Sequence, residues 1–187
     1  MGHFEKVASN AFESIIIKSG MLLTTFDPAH PVEPTDAQII TATTGGITAS
    51  CVPEFQDFGE DIDNVMKNSK ELKMQTGWTC TLSSTALNIT ADTLKFLLGA
   101  ADVDATTSAI VPRKNLESTD FSDIWFVSNR VDGKVFAIKI KNALSTAGFS
   151  ITTTKEGKGT LPFTITGHVS IADQEEMPME FYASVTV

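Results

Sequence analysis

Hydrophobic and polar positions alternate along much of this chain. Leu161, Phe163, Ile165, Gly167, Val169 and Ile171 alternate with Pro162, Thr164, Thr166, His168 and Ser170. Successive side chains of a strand point to opposite faces, so this run predicts a long strand with one buried and one polar face. Residues 134–141 read the same way, with Phe136, Ile138 and Ile140 on one face and Ala137, Lys139 and Lys141 on the other. They follow Asp132-Gly133, a dipeptide that accepts positive φ and suits a hairpin turn, with residues 124–129 as the partner strand. At the end of the chain Phe181, Ala183, Val185 and Val187 alternate with Tyr182, Ser184 and Thr186.

Shorter runs predict further strands at residues 15–23, 38–44, 47–52, 72–82 and 149–154. Gly45-Gly46 is expected to stop the second of these and Pro53 the third, while Trp78, Cys80 and Leu82 share one face of the fourth. Pro28, Pro31 and Pro34 make residues 27–34 extended and unpaired. One helix is predicted at about 91–101. Thr90 is its N-cap, Asp92 sits favourably in its first turn, and Leu94, Leu97, Leu98 and Ala101 form an apolar stripe for packing on a sheet. Residues 105–120 and 173–178 read as loops, and Glu156-Gly157-Lys158-Gly159 as a turn. Residues 1–13, polar with scattered Phe4 and Phe12, read as an N-terminal arm. Residues 14–187 read as a single domain, mainly β.

Residues 53–71 differ in character. Glu54, Asp57, Glu60, Asp61 and Asp63 form an acidic block, and Lys67, Lys70 and Lys73 follow at three-residue spacing. A long charged segment within a compact domain is either a solvated surface loop or a functional one. An acidic and a basic block on one chain also supply the two complementary surfaces of a head-to-tail contact, which generates rings or filaments. Such charges would set register more than affinity.

Composition narrows the chemistry. The 187 residues suffice for one sizeable core, and 42% of them are hydrophobic, so bulk disorder is not expected. The formal net charge of −9 argues against a phosphate-binding surface, which needs a basic stripe. Cys51 and Cys80 form no CxxC, and only His3, His30 and His168 could join them, so no zinc site is expected. Two reduced, largely buried thiols are the expectation, with a single bridge between them the alternative. No nucleophile elbow, zinc-protease or P-loop motif occurs. Residues 154–160 have two glycines and two lysines but lack the phosphate-loop spacing, and read as a hairpin turn. No catalytic residue, cofactor or metal is assigned, and the chain is not expected to be an enzyme. Residues 15–23 are too short for a membrane span, and residues 1–6 lead into polar sequence, so neither membrane anchor nor export leader is expected.

The segment from Gly46-Ile47 through Cys51 and Pro53, then DFGEDIDNV at residues 57–65, NSKELK at 68–73 and Gly77-Trp78, resembles the major tail tube proteins of long-tailed bacteriophages. Residues 124–128, AIKIKNAL at 137–144 and EGKGTLPFTITGHVSI at 156–171 extend the likeness over roughly residues 14–187. The resemblance implies a β-sandwich or partial barrel with one flanking helix. It implies hexameric rings stacked into a hollow tube that conducts DNA during ejection without binding it specifically. Residues 53–71 would be the stacking loop, with Glu54, Asp57, Glu60, Asp61, Asp63, Lys67, Lys70 and Lys73 as its charged contacts, and the N-terminal arm would make another inter-ring contact. Partners would be further copies of the chain, with tape measure, distal tail and tail terminator proteins at the ends, and the protein would reside in the virion after assembly in a bacterial cytoplasm. The C-terminal immunoglobulin-like domain of some relatives is not expected here. Lys134, Lys139 and Lys141 depart from a purely acidic wall if their strand face lines the lumen. Two other readings stand beside this one. One is the tube protein of a related injection device, such as a type VI secretion system or tailocin. The other is a β-sandwich binding module using the 53–71 loop.

Overall fold

The computed structural model describes residues 7–104 and 106–186. Outside them lie residues 1–6 of the expected arm, with His3 and Phe4, and also residue 105 of the expected loop and residue 187 of the expected last strand. Nine strands and one α-helix occur among the described residues: β1 (Ile16–Leu23), β2 (Thr43–Asp57), β3 (Lys73–Ala86), α1 (Ala91–Leu98), β4 (Ala101–Val103), β5 (Ile110–Pro112), β6 (Ser122–Arg130), β7 (Val135–Ser145), β8 (Leu161–Thr166) and β9 (Met179–Val185). The protein is mainly β, as its alternation predicts. Seven strands form one antiparallel sheet in the order β1-β6-β7-β8-β3-β2, with β9 added beside β7, and β4 pairs with β5 alone.

β7 joins the two limbs of that sheet. Its first part pairs with β6 and β9, whereas Leu144 and Ser145 pair with β8. Asn142, at φ 45, lies at the β6–β7 register shift, two residues before the β8 pairing begins. The main core draws on both limbs: Leu22, Ile124, Phe126, Ile138 and Ile140 from one, and Cys80, Leu82, Leu161, Phe163 and Ile165 from the other. α1 packs on this core through Leu97, and its Phe96 ring meets Phe163 edge-on at 6.1 Å. A second cluster of Leu23, Trp125, Val127, Val135, Ala137 and Val185 is flanked by Phe26 and Tyr182.

That second cluster overturns the expectation that β7 has an open polar face. Ala137 is buried, Lys139 bonds Asp123 at 2.7 Å, and Lys141 is buried against Glu176 and Glu180. The β6–β7 turn forms where expected, with Gly133 at φ 78 and its N–H donated to the Arg130 carbonyl. Thr90 caps α1 as expected, its Oγ1 accepting from the Thr93 N–H at 3.1 Å. The helix nevertheless ends before residue 101, because Gly99 turns to φ 74 and Ala101 opens β4.

Other expectations fail for local reasons. Residues 38–44 and 47–52 are not two strands. Asp36–Gln38 is a 3-10 turn, and β2 runs on through Gly45-Gly46 as a bulge, both glycines at positive φ. Pro53 does not end β2 either. Among the described residues the strand pairs only with β3, and a proline on such an edge need not donate to a ladder. The expected strand at 149–154 is reduced to a bridge between Thr152 and Thr160, which closes the turn expected at 156–159. Residues 105–120 are not all loop, since they contain β5 and the 3-10 turn Ser118–Asp120.

The long alternating run stops at Thr166 instead of 171. A side chain on Gly167 would come within 2.8 Å of the Pro178 carbonyl and 2.9 Å of an Ile140 methyl, so the backbone fits there only as glycine. Beyond it the chain turns away and leaves Val169 and Ile171 exposed. In β9 a register shift opposite residues 135–137 places Tyr182 with Val185 on the second cluster and leaves Phe181 exposed. Cys51 and Cys80 are direct cross-strand partners with Cα atoms 4.0 Å apart. They are joined as a disulfide, not held as two thiols.

Candidate assembly surface

The β2–β3 hairpin is longer than the sheet that supports it. β3 pairs with β2 along its whole length, but β8 covers only Thr81 to Ala86. Among the described residues, residues 73–79 therefore have β2 as their sole ladder partner, and the ribbon they form carries residues 58–72 at its end. The expected loop is shorter than 53–71 at its base. Glu54 and Asp57 lie on β2, and Lys73 opens β3.

Asp57 organises the tip. Its Oδ1 accepts the Gly59 N–H at 2.9 Å and its Oδ2 accepts the Asn68 N–H at 2.8 Å, so one carboxylate clasps both arms of the loop. These two backbone bonds, Asn68 first, hold the Asp57 carboxyl below its ordinary pKa, with smaller help from the charges of Lys73 and Lys67. The Phe58 N–H bonds the Leu72 carbonyl at 3.0 Å and closes the neck. Asn64 and Asn68 take the left-handed conformation at φ 63 and 62, which asparagine tolerates better than most residues. A side chain on buried Gly59 would meet Leu72 at 2.9 Å and Val65 at 3.3 Å, so a small apolar knot fills the loop.

The expected charged residues divide into three groups. Lys67 bonds Glu60 at 3.0 Å, and Lys70 lies 3.5 Å from Glu71. Lys73 donates to the side-chain Oδ1 of Asn68 at 3.4 Å and stands 5.0 Å from the centre of the Phe55 ring. Glu54 accepts the Thr79 hydroxyl on the ribbon. Asp61 and Asp63 are exposed at the end of the loop and make no ion pair among the described residues. The acidic and basic blocks therefore interleave within one tip. What the tip offers outward is acidic.

It also offers apolar groups. Phe58, Ile62 and Met66 are all exposed, Met66 at 82%, and Phe55 and Met74 are exposed on the ribbon below. Ile62, Met66 and Met74 were not among the residues singled out from the sequence. The available signal was the four-residue spacing of Phe58, Ile62 and Met66 inside a charged stretch.

A second group of charges sits at the base of β7. Lys141 is held between Glu176 and Glu180, and Tyr182 donates its hydroxyl to Glu180 at 2.6 Å. Burial would lower the Lys141 pKa, but the bonds it donates to Glu176 and Glu180 outweigh it and raise the group above its ordinary value. Lys141 and then Tyr182 lower the Glu180 carboxyl. This network fastens the 173–178 segment to β7. No group of three or more His, Cys, Asp or Glu side chains able to hold a metal occurs among the described residues. No helix described is long and apolar enough to cross a membrane. No protein-family model matches the chain, and no curated protein matches it.

Proposed function

We propose that this protein is the structural subunit of a phage tail tube. In this reading the bent sheet serves as a tail-tube-type β-sandwich or partial barrel. Six copies form a ring, and rings stack into a hollow tube that conducts DNA during ejection. The observation that carries the reading is the β2–β3 ribbon, which outruns its supporting sheet and ends in an ordered tip with exposed Phe58, Ile62 and Met66. Exposed apolar groups held together in an ordered loop support an interaction surface at that place. β2 and β9 each have one strand partner among the described residues, which leaves edges for pairing between subunits.

The charge balance suits a conduit. Each copy carries −9, so a ring would repel DNA phosphates in place of binding them. Of the three lysines that would oppose that effect if they lined the lumen, Lys139 and Lys141 are each held by carboxylates of their own chain, whereas Lys134 is exposed and makes no ion pair among the described residues. Tape measure, distal tail and terminator proteins would be the partners at the tube's ends, and the virion its location. Electron microscopy of the purified protein over a concentration series, with and without isolated tail tips as initiator, tests the reading. Rings or tubes of uniform width are expected. Particles that stay monomeric under both conditions would overturn it and favour the binding module.

A further inference from the structure

We propose that the 58–66 tip of one copy seats on the 149–158 loop of a second copy, a contact that rests on the tube reading and supplies its stacking interface. The polarity of β3 puts these two segments at opposite poles. β3 begins at Lys73, beneath the tip, and ends at Ala86, which lies opposite Leu161 at the start of β8. The loop leading into Leu161 therefore lies at the far end of the same strand. Its fourteen residues span about 45 Å when extended. A groove of about 470 Å³ at that far pole is lined by Gly46, Thr85, Gly148, Ser150 and Thr164.

The two segments are complementary. The tip exposes Phe58, Ile62 and Met66 beside Asp61 and Asp63. The far loop exposes Phe149 and Ile151, each at 43%, beside Lys155, Glu156 and Lys158, so its charge is net positive. Neither lysine makes an ion pair among the described residues, whereas the tip's Lys67 and Lys70 lie beside carboxylates of their own loop. Both segments are also preformed. Asp57 clasps the tip, and paired bonds between Thr152 and Thr160, at 3.0 and 2.9 Å, close the far loop. Preformed surfaces lose less conformational freedom on contact.

Apolar contact would supply the attraction, and the charges would select the pairing. Tip against tip sets Asp61 and Asp63 against their own copies, and far loop against far loop sets lysines against lysines. With one carboxylate, Glu156, against two lysines the far loop stays net positive, so only tip against far loop joins segments of opposite net charge. That contact is heterologous and leaves a free tip and a free loop after every addition, so it propagates along one axis. The rings then stack in one orientation.

Zero-length carboxyl–amine cross-linking of the assembled protein, mixed from light and heavy isotope forms, tests this contact. Peptide mass spectrometry is expected to find Asp61 or Asp63 joined to Lys155 or Lys158 between light and heavy chains. The Glu60–Lys67 pair within one chain is the internal control. Rings or tubes that yield the control link without the tip-to-far-loop link would overturn this inference and leave the tube reading standing. Failure of the wild-type protein to assemble, even on tail tips, would overturn both. A charge exchange adds a second readout. D61K/D63K and K155E/K158E are each expected to lose stacking, and the variant with all four changes to regain it. Loss in all three would overturn the proposed pairing.

Discussion

The two halves of β3 lie on one strand and serve opposite ends. From Thr81 to Ala86 the strand is flanked by β2 and β8, and Leu82 and Ala86 are buried, as is Cys80 just before them. From Lys73 to Thr79 it has β2 alone among the described residues, and Met74 is exposed at 58%. Apolar side chains in the covered half are consumed by folding. Those on the ribbon and tip are left over, and a fold that needed them only for stability would have no reason to hold them in an ordered loop. The difference teaches that exposure, not hydrophobicity, separates the residues that make the domain from those available to another copy.

The contrast should be plainest in stability. Leu82→Ala, at a fully buried position, is expected to cost about 2–5 kcal/mol in chemical denaturation. A cost near zero would mean that the covered half of β3 is not core. Lys141→Met comes next. It leaves Glu176 and Glu180 without their cation and is expected to cost about 1–3 kcal/mol. The signs of its pH dependence follow from the two shifts. The raised Lys141 stabilises fully below the unfolded lysine pKa of about 10.4, and this is lost as pH rises through its folded value. The lowered Glu180 stabilises above its unfolded pKa of about 4.3, and this is lost as pH falls through its folded value. The variant should therefore show shallower acid and alkaline limbs than wild type. Parallel curves would assign the effect to packing.

Smaller effects on folding sharpen the other half of the comparison. Asp57→Ala should leave the global melt nearly unchanged while the amides of Gly59 and Asn68 lose protection from hydrogen exchange. In wild type, where Asp57 is lowered, protection of those amides should be complete above the ordinary carboxylate range and fall as pH drops through the folded pKa. Unchanged exchange in the variant would show that the tip holds itself together without the clasp. The combined F58S/I62S/M66S should alter stability by no more than about 0.5 kcal/mol, the usual range for surface sites, yet abolish assembly in sedimentation. A large stability loss would place these side chains in the fold after all.

Much of the fold was legible because alternation and punctuation agreed. Leu161, Phe163 and Ile165 are buried as their spacing requires, Thr90 caps the helix, and Gly133 turns the β6–β7 hairpin. The misreadings arise where a local signal has two physical outcomes. Gly45-Gly46 can stop a strand or bulge it, and Pro53 can end a strand or lie on its edge. Lys139 and Lys141 look exposed until Asp123, Glu176 and Glu180, distant in sequence, arrive beside them. The site was legible as a charged segment. Its pairing was not, because the Asp57 clasp runs through backbone N–H groups, which every residue but proline carries.

Replacing residues 60–70 by a short Gly-Ser turn separates the two halves of the hairpin most directly. The shortened protein should be followed by thermal melting and by electron microscopy beside wild type. The expected result is a near-native melt with single rings or monomers and no stacked tubes. Stacked tubes of wild-type width without the tip would contradict the assignment of residues 58–66 to assembly.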